Sequence, residues 1–357
     1  MSNSRCRLRA LGIAPGAFKP GPQNAITDVE GVAVGHVTLV EGDRIRTGAT
    51  AIRPHSGNLF RDKVPAALHV FNGYGKFAGA TQIEELGEIE TPIVLTNTLA
   101  VGRAVEAVNR WTLAQPGNEG VVSINAAVGE TNDARLNDIR AGRPTIEEIE
   151  AAIAAAAPGP VAEGAVGAGT GTVAFGHKGG IGSSSRLVPA AGHRYRLGVL
   201  VQSNYGGRLR IDGLPYEALA EHDRDGSIVM VIATDAPLDA SGLRRLARRA
   251  VGGLSRTGAA LSNGSGDYAL AFSTAEGLRR TPERRRAVTD CPTLPNDLMS
   301  PLFEAAIEAV EEAILNSLCM AETVHGFNAA SGKANTVRAL DLDVIRRGLD
   351  RFRSSPS

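Results

Sequence analysis

The stretch GSIVMVIA, residues 226–233, marks an abrupt change in the character of the chain. Before it, residues 207–226 are polar, which is typical of an exposed, mobile surface loop. From Ser227 onward the chain is apolar and β-branched, which predicts a buried strand. Strand-like and helix-like patterns alternate on both sides of this stretch. The sequence therefore predicts an α/β or α+β fold in one domain that spans residues 1–357.

Hydrophobic periodicity predicts the neighbouring elements. Strands are expected at 26–39, with a turn at Glu30-Gly31, and at 92–97, 121–128, 196–202 and 268–273. Helical patterns cover 81–86, 99–113 and 301–318. Thr145 and Glu148 form a capping-box pattern that opens a further helix. Asp239 or Ser241 can cap a helix whose apolar stripe runs through 243–251.

Composition excludes several classes of protein. The 357 residues carry 38 Lys+Arg and 38 Asp+Glu, so the formal net charge is zero. A disordered chain combines low hydrophobicity with high net charge, and a nucleic-acid-binding domain is usually basic. Glycine is in excess, with 42 residues, which indicates many tight turns or close backbone approaches.

The cysteines and the N-terminus indicate a cytoplasmic protein. Cys6, Cys291 and Cys319 have unrelated spacings, which suit neither a disulfide framework nor a zinc ribbon and favour a reducing compartment. Residues 1–19 lack the apolar run of a signal peptide. No window has the apolar length of a membrane-spanning helix. We therefore expect no membrane association.

The glycine-rich stretch 164–186 leaves two interpretations open. GAGTG, residues 167–171, is close to a dinucleotide-binding fingerprint, but the residues after it are strand-like where the fingerprint needs a helix. The sequence favours close backbone packing, or backbone N–H groups that line a ligand site. The histidines are scattered and no cluster has zinc-ligand spacing. No cofactor and no metal are expected.

Three polar motifs, GETND (129–133), LND (136–138) and SNGSGD (262–267), are by themselves typical of capping and turn chemistry. The junction Gly226-Ser227 allows a more specific hypothesis. If the chain is cut there, Ser227 gains an α-amine with a pKa near 7.7–8.0, and this amine can act as general base for its own hydroxyl. The residues permit this chemistry without selecting it.

A series of motifs in fixed order covers nearly the whole chain: NGYGK (72–76), ETPIVLTNTLAVG (90–102), GETND and LNDIR, GTGT with KGGIG (178–182), QSNYG (202–206), DGSI, ATDAP (233–237), RLARRA, RTG, SNGSGDYALAFST (262–274) and AETVHG (321–326). Together they resemble the family of L-aminopeptidase D-amidase/D-esterase and β-peptidyl aminopeptidases. The resemblance implies self-cleavage at Gly226-Ser227 into chains 1–226 and 227–357. The mature enzyme would hydrolyse small peptides, amides or esters with a free N-terminal amine.

The resemblance also implies roles for individual residues. Ser227 would be the nucleophile, and Ser265 and Asp267 would hydrogen-bond around it and tune its amine. Asn204 would supply the oxyanion-hole amide. Glu130 would receive the amino group of the substrate. Arg135 stands where many members have a tyrosine, so no catalytic role is assigned to it and the substrate preference stays open.

The fold implied by the resemblance is a four-layer αββα sandwich with the layout of ornithine acetyltransferase. The same resemblance implies a homotetramer of processed protomers. Two alternatives for the function remain. The first is acyl transfer on the same fold, although that family uses a threonine nucleophile. The second is an unprocessed, non-catalytic ligand-binding protein that uses the glycine-rich loops.

Overall fold

The computed structural model describes residues 4–190, 192–216 and 226–347. The first part of the predicted polar loop is covered, but its residues 217–225 lie outside the described part. The strands are β1 Ala33–Glu41, β2 Ile45–Arg53, β3 Val64–Gly73, β4 Phe77–Ala78, β5 Glu88–Ile89, β6 Ile93–Asn97, β7 Ala127–Thr131, β8 Val173–Ala174, β9 His177–Lys178, β10 Gly180–Ala190, β11 His193–Asn204, β12 Arg210–Ile211, β13 Leu214–Pro215, β14 Ser227–Thr234, β15 Gly266–Ser273, β16 Val324–Asn328 and β17 Lys333–Val337. The α-helices are α1 Ala80–Leu86, α2 Val101–Leu113, α3 Ile146–Ala154, α4 Ala240–Ala247, α5 Ala250–Arg256 and α6 Ser300–Met320.

Two large sheets form the centre of the molecule. One has the strand order β1-β2-β6-β7-β4, and the other has the order β10-β11-β14-β15-β3-β5. Helices α2 and α3 cover the outer face of the first sheet, while α4 and α6 cover the second and α5 packs against α6. Three apolar layers fill the spaces between these four layers of secondary structure. The predicted αββα sandwich is confirmed.

Strand β14 lies in the middle of the six-stranded sheet and accounts for the apolar run at residues 228–233. It pairs antiparallel with β11 and parallel with β15, and every one of its residues is buried. Ile228, Met230 and Ile232 face the helices, whereas Val229 and Val231 face the other sheet. A strand that is covered on both faces has no polar side to alternate with. Each large apolar side chain buried here contributes about 1.5–3 kcal/mol.

Helix ends agree with the capping predictions. Thr145 and Glu148 form the capping box of α3. Asp239 caps α4, because its side chain accepts a hydrogen bond from the Gly242 N–H. The single helix predicted through 243–251 is wrong, since the chain forms two helices that break at Arg248 and Arg249. The second helix turns to pack against α6.

Two strand predictions are wrong at their N-terminal ends. Residues 121–126 form no strand, and β7 begins at Ala127 opposite Ile93, the first residue of β6. Pro92 precedes Ile93 and has no N–H that could donate to a strand ladder. Residues 121–126 therefore have no ladder partner in β6. Val122 is 99% exposed. Residues 26–28 form a 3-10 helix in place of a strand.

The glycine-rich stretch packs backbone against backbone. After a 3-10 turn at Gly167–Gly169 it continues into the β8–β9 hairpin and β10. A Cβ on Gly182 would lie 1.9 Å from the Ala313 carbonyl oxygen of α6. Close helix packing therefore accounts for a glycine at this position. Within the described part of the chain, no helix has the length and hydrophobicity to cross a membrane.

Candidate active site

Ser227 lies where the two sheets meet at their ends. It is the first residue of β14, opposite Asn204 at the end of β11 and Gly266 at the start of β15. Glu130, in β7, belongs to the other sheet, whose β7 packs against β14. Ser227 is only 8% exposed. The surroundings of its hydroxyl are therefore set by neighbouring backbone and side chains more than by bulk solvent.

One backbone N–H contacts both the Ser227 hydroxyl and the carbonyl group of the residue before it. The Gly266 N–H donates to the Ser227 Oγ at 3.1 Å and to the Gly226 carbonyl oxygen at 3.2 Å. The hydroxyl is thereby held next to the carbonyl of the peptide bond that precedes it. A donor on that carbonyl oxygen stabilises negative charge that develops during attack on the carbonyl carbon.

Gly226 has a conformation and a position that a side chain does not tolerate. Its φ is +155°, which L-residues with a side chain rarely adopt. A Cβ there would lie 2.2 Å from the Asn204 carbonyl oxygen and 2.5 Å from the Tyr205 Cα. Both neighbours are backbone atoms and cannot swing away. Glycine is therefore required immediately before Ser227.

Ser265 and Asp267 form a buried pair next to Gly266. The Ser265 hydroxyl donates to Asp267 Oδ1 at 2.6 Å. Burial raises the pKa of the Asp267 carboxyl to about 6, while the hydrogen bond from Ser265 and the nearby Ile228 N–H oppose part of that rise. Among the described residues, Asp267 Oδ2 has no hydrogen-bond partner although it is buried. This oxygen is available to a further donor beside Ser227.

The side-chain amide of Asn204 is fixed at one end. Its Oδ1 accepts a 2.9 Å hydrogen bond from the Val173 N–H of the β8–β9 hairpin. Because the carbonyl end of an amide lies opposite its NH₂ end, this bond sets the direction in which Nδ2 points. Asn204 is also the ladder partner of Ser227. The glycine-rich hairpin thus determines how Asn204 is presented at the site.

Glu130 is a buried carboxylate, 1% exposed, and both of its oxygens accept hydrogen bonds. The Lys76 N–H donates to Oε1 at 2.9 Å, and the Thr98 hydroxyl donates to Oε2. The ammonium of Lys76, 54% exposed, lies 3.9 Å from Oε1. Thr98 and Lys76 lie within motifs quoted above, but local sequence gave no sign that they contact Glu130.

Two glycines join the halves of the site. A Cβ on Gly266 would lie 2.7 Å from the Gly75 Cα and 3.2 Å from the Ser227 Oγ. A Cβ on Gly75 would lie 3.0 Å from Glu130 Oε1. The Glu130 carboxylate and the Ser227 hydroxyl are thus separated by little more than the crossing of two glycine backbones. The structure brings together Asn204, Gly226, Ser227, Ser265, Asp267 and Glu130.

Tyr268, which follows Asp267 in β15, also lies in this cluster and was missed by sequence reasoning. Its ring packs against Phe77, with ring centroids 5.9 Å apart. Burial, together with the negative charges of Glu130 and Asp267, raises the pKa of the Tyr268 phenol to about 12. The phenol is therefore a neutral hydrogen-bonding group at physiological pH.

Arg135 is half-buried in the turn that follows β7, and its carbonyl oxygen accepts a 2.8 Å hydrogen bond from Asn335 Nδ2. Over residues 4–190, 192–216 and 226–347, no group of three or more His, Cys, Asp or Glu side chains is arranged to hold a metal ion. The side chains of Ser227, Ser265, Asp267, Glu130 and Asn204 carry hydroxyl, carboxyl and amide groups.

Comparison with known proteins places this chain in a family. Residues 24–331 match the model of peptidase family S58. The chain is 41% identical to a β-peptidyl aminopeptidase of Sphingosinicella microcystinivorans, over 97% of this chain and 92% of the relative. A second β-peptidyl aminopeptidase, from Sphingosinicella xenopeptidilytica, is 40% identical over 91% of this chain and 87% of that relative.

Solved structures agree. A β-aminopeptidase of a Burkholderia species superimposes with a TM-score of 0.89 at 40% identity, covering 98% of this chain and 100% of the other. The L-aminopeptidase D-Ala-esterase/amidase of Ochrobactrum anthropi, described as a prototype of the serine aminopeptidases and a variant of the Ntn-hydrolase fold, gives 0.87 at 37% identity, with 97% and 99% coverage. The predicted resemblance, fold and enzyme class, a serine aminopeptidase or amidase, are therefore confirmed, and the chain belongs to peptidase family S58.

Proposed function

We propose that this chain is a self-processing serine aminopeptidase and amidase whose nucleophile is Ser227. The observation that carries the proposal is the Gly266 N–H, which donates to both the Ser227 Oγ and the Gly226 carbonyl oxygen. It holds a hydroxyl beside the carbonyl of its own peptide bond, in a place where only glycine fits before the serine. Such an arrangement favours an intramolecular attack, because proximity and orientation are already present.

The proposed processing has two steps. The Ser227 Oγ attacks the Gly226 carbonyl carbon, the C–N bond breaks, and the hydroxyl proton passes to the departing nitrogen. The resulting ester is hydrolysed by water, which leaves a carboxylate on Gly226 and a free α-amine on Ser227. The products are chains 1–226 and 227–357, within one self-processing peptidase domain.

The freed amine then serves catalysis on substrates. An α-amine has a pKa near 7.7–8.0, so a useful fraction is neutral and can accept the Ser227 hydroxyl proton. Asp267 Oδ2, buried beside the first residues of β14, can accept a hydrogen bond from the protonated amine. The side-chain amide of Asn204 stabilises the oxyanion of the tetrahedral intermediate. An acyl-enzyme on Ser227 forms with release of the leaving amine, and water hydrolyses it.

Glu130 selects substrates that carry a free amine. A buried carboxylate close to the nucleophile attracts the ammonium group of an N-terminal residue. Substrates are small peptides, amides or esters, and the relatives named β-peptidyl aminopeptidases extend the expected range to N-terminal β-amino acids. We also propose that the processed protomers assemble as a homotetramer, and that the enzyme works in the cytoplasm on small molecules without a nucleic-acid or membrane partner.

Mass spectrometry and N-terminal sequencing of the purified protein test the processing step. We expect two fragments, the smaller of which begins Ser-Ile-Val-Met. A matched Ser227→Ala protein should remain one chain and show no hydrolysis, while it keeps its fold by circular dichroism. An active preparation that consists only of the intact 37.2 kDa chain would overturn the proposal. Hydrolysis in an assay without an acceptor amine separates this function from acyl transfer.

A further inference from the structure

Lys178 is a buried cation close to the site, and the proposed mechanism gives it no role. It lies in β9 and its side chain is 0% exposed. Its Nζ donates to the carbonyl oxygens of Gly169, Thr172 and Gly179 at 2.8, 2.9 and 2.7 Å. An ammonium group has three donors, so all of them are used. Burial lowers the pKa of Lys178, and the nearby Asp133 carboxylate opposes that lowering.

The three carbonyls belong to two parts of the glycine-rich stretch. Gly169 and Thr172 precede the β8–β9 hairpin, and Gly179 follows it. The Thr172 carbonyl oxygen also accepts a 3.1 Å hydrogen bond from the Gly179 N–H. Val173 and Lys178 are ladder partners in the hairpin. The ammonium therefore closes the base of the hairpin by holding both ends of it.

One peptide group links Lys178 to Asn204. The carbonyl of the Thr172–Val173 peptide accepts from the Lys178 ammonium, and the N–H of the same peptide donates to Asn204 Oδ1 at 2.9 Å. A peptide group is planar and rigid, so a hold on its oxygen also fixes the direction of its N–H. A cation on the oxygen further polarises the group and strengthens the N–H as a donor.

We infer that Lys178 is a positioning residue for Asn204: through the Thr172–Val173 peptide it orients the side-chain amide that stabilises the oxyanion. This inference rests on the proposed function, in which Asn204 supplies that amide. Lys178 does not touch the substrate. Its removal should lower kcat through a misdirected amide and leave KM nearly unchanged, because Glu130 still binds the substrate amine.

A double-mutant cycle tests the inference with an amino-acid p-nitroanilide as substrate. The proteins are wild type, Lys178→Met, Asn204→Ala and the double variant, with kcat expressed per cleaved protomer counted by mass spectrometry. We expect Asn204→Ala to lower kcat about 10²- to 10³-fold and Lys178→Met about 10- to 100-fold. The double variant should be no slower than Asn204→Ala, because the two residues act through one group.

Lys63→Met is the matched control. Lys63 is also a buried cation, ion-paired with Glu88 and Glu90. It precedes β3, whereas Gly73 at the other end of that strand is opposite Gly266. Its loss should change the melting temperature without changing kcat. If Lys178→Met does not accumulate as folded protein, Lys178→Gln, which keeps two donors without the charge, takes its place in the cycle.

The outcomes separate the two proposals. A wild-type kcat in folded Lys178→Met, or a Lys178→Met loss that multiplies in full with that of Asn204→Ala, would overturn the positioning role. A wild-type kcat in Asn204→Ala would instead overturn the oxyanion assignment of the proposed function. A lowered kcat with unchanged KM, absent in the Asn204→Ala background and absent for Lys63→Met, supports the inference.

Discussion

Replacing Asp267 with asparagine is expected to stabilise the intact chain at neutral pH. The carboxyl is buried, one of its oxygens lacks a partner among the described residues, and its pKa rises from 3.8 to about 6. Each pKa unit corresponds to about 1.4 kcal/mol, so ionised Asp267 lowers the free energy of unfolding by up to about 3 kcal/mol. The amide accepts a weaker hydrogen bond from Ser265 than the carboxylate does, which costs about 1 kcal/mol. A net gain of about 2 kcal/mol at pH 8 follows.

The pH dependence gives the sign of the effect. Because the folded-state pKa is raised, the native chain holds more protons than the unfolded chain between about pH 4 and pH 6. The favourable contribution of protonated Asp267 is fully present below that window and is lost as the pH rises through it. Asparagine does not titrate. The stability difference between the two proteins should therefore grow by up to about 1.4 kcal/mol per pH unit within the window and stay constant above it.

Urea unfolding between pH 4 and pH 8, followed by circular dichroism, measures this difference. Both proteins carry Ser227→Ala, which keeps the chain intact and removes the α-amine from the comparison. Asp43→Asn, at an exposed position in the turn between β1 and β2, is the matched control and should leave the free energy of unfolding unchanged. Equal pH slopes for the Asp267→Asn protein and its parent would refute the reasoning, since they would show that the carboxyl is solvated or paired in the folded chain.

Two further predictions concern the close contact between Gly75 and Gly266 and the binding of the substrate amine by Glu130. Gly266→Ala places a Cβ 2.7 Å from the Gly75 backbone, so the two segments must move apart and kcat should fall about 10²-fold. The control Gly102→Ala has nothing within 4 Å of its Cβ and should keep full kcat. Equal kcat values for the two variants would contradict the steric argument. Glu130→Gln should weaken binding of a free-amine substrate by about 1.5–3 kcal/mol, which steady-state assays would measure as a KM raised about 10- to 100-fold. Mass spectrometry should show that the chain is still cleaved. An unchanged KM would show that Glu130 does not bind the substrate amine.

Several elements follow from the sequence because their causes are local or periodic. The run after Ser227 is apolar at every position, and β14 is covered on both faces. Thr145 and Glu148 lie three residues apart, which is the spacing a capping box needs. The strand predicted at 121–128 fails over its first six residues because a strand also needs a partner, and β6 starts only at Ile93. Strand pairing depends on two segments of the chain, so neither segment alone predicts it.

The order of the motifs by itself determined the family, the four-layer fold and the candidate cut at Gly226-Ser227. Taken locally, GETND and SNGSGD were indistinguishable from ordinary turns. Only the tertiary structure decided that Glu130 lies across two glycine backbones from Ser227. It also decided that the Gly266 N–H donates to both the Ser227 hydroxyl and the preceding carbonyl. The link from Lys178 to Asn204 through one peptide group is likewise visible only in the tertiary structure. The physical reason is that close backbone approach, burial of a charge and direction of a hydrogen bond depend on strands from both sheets meeting at one edge.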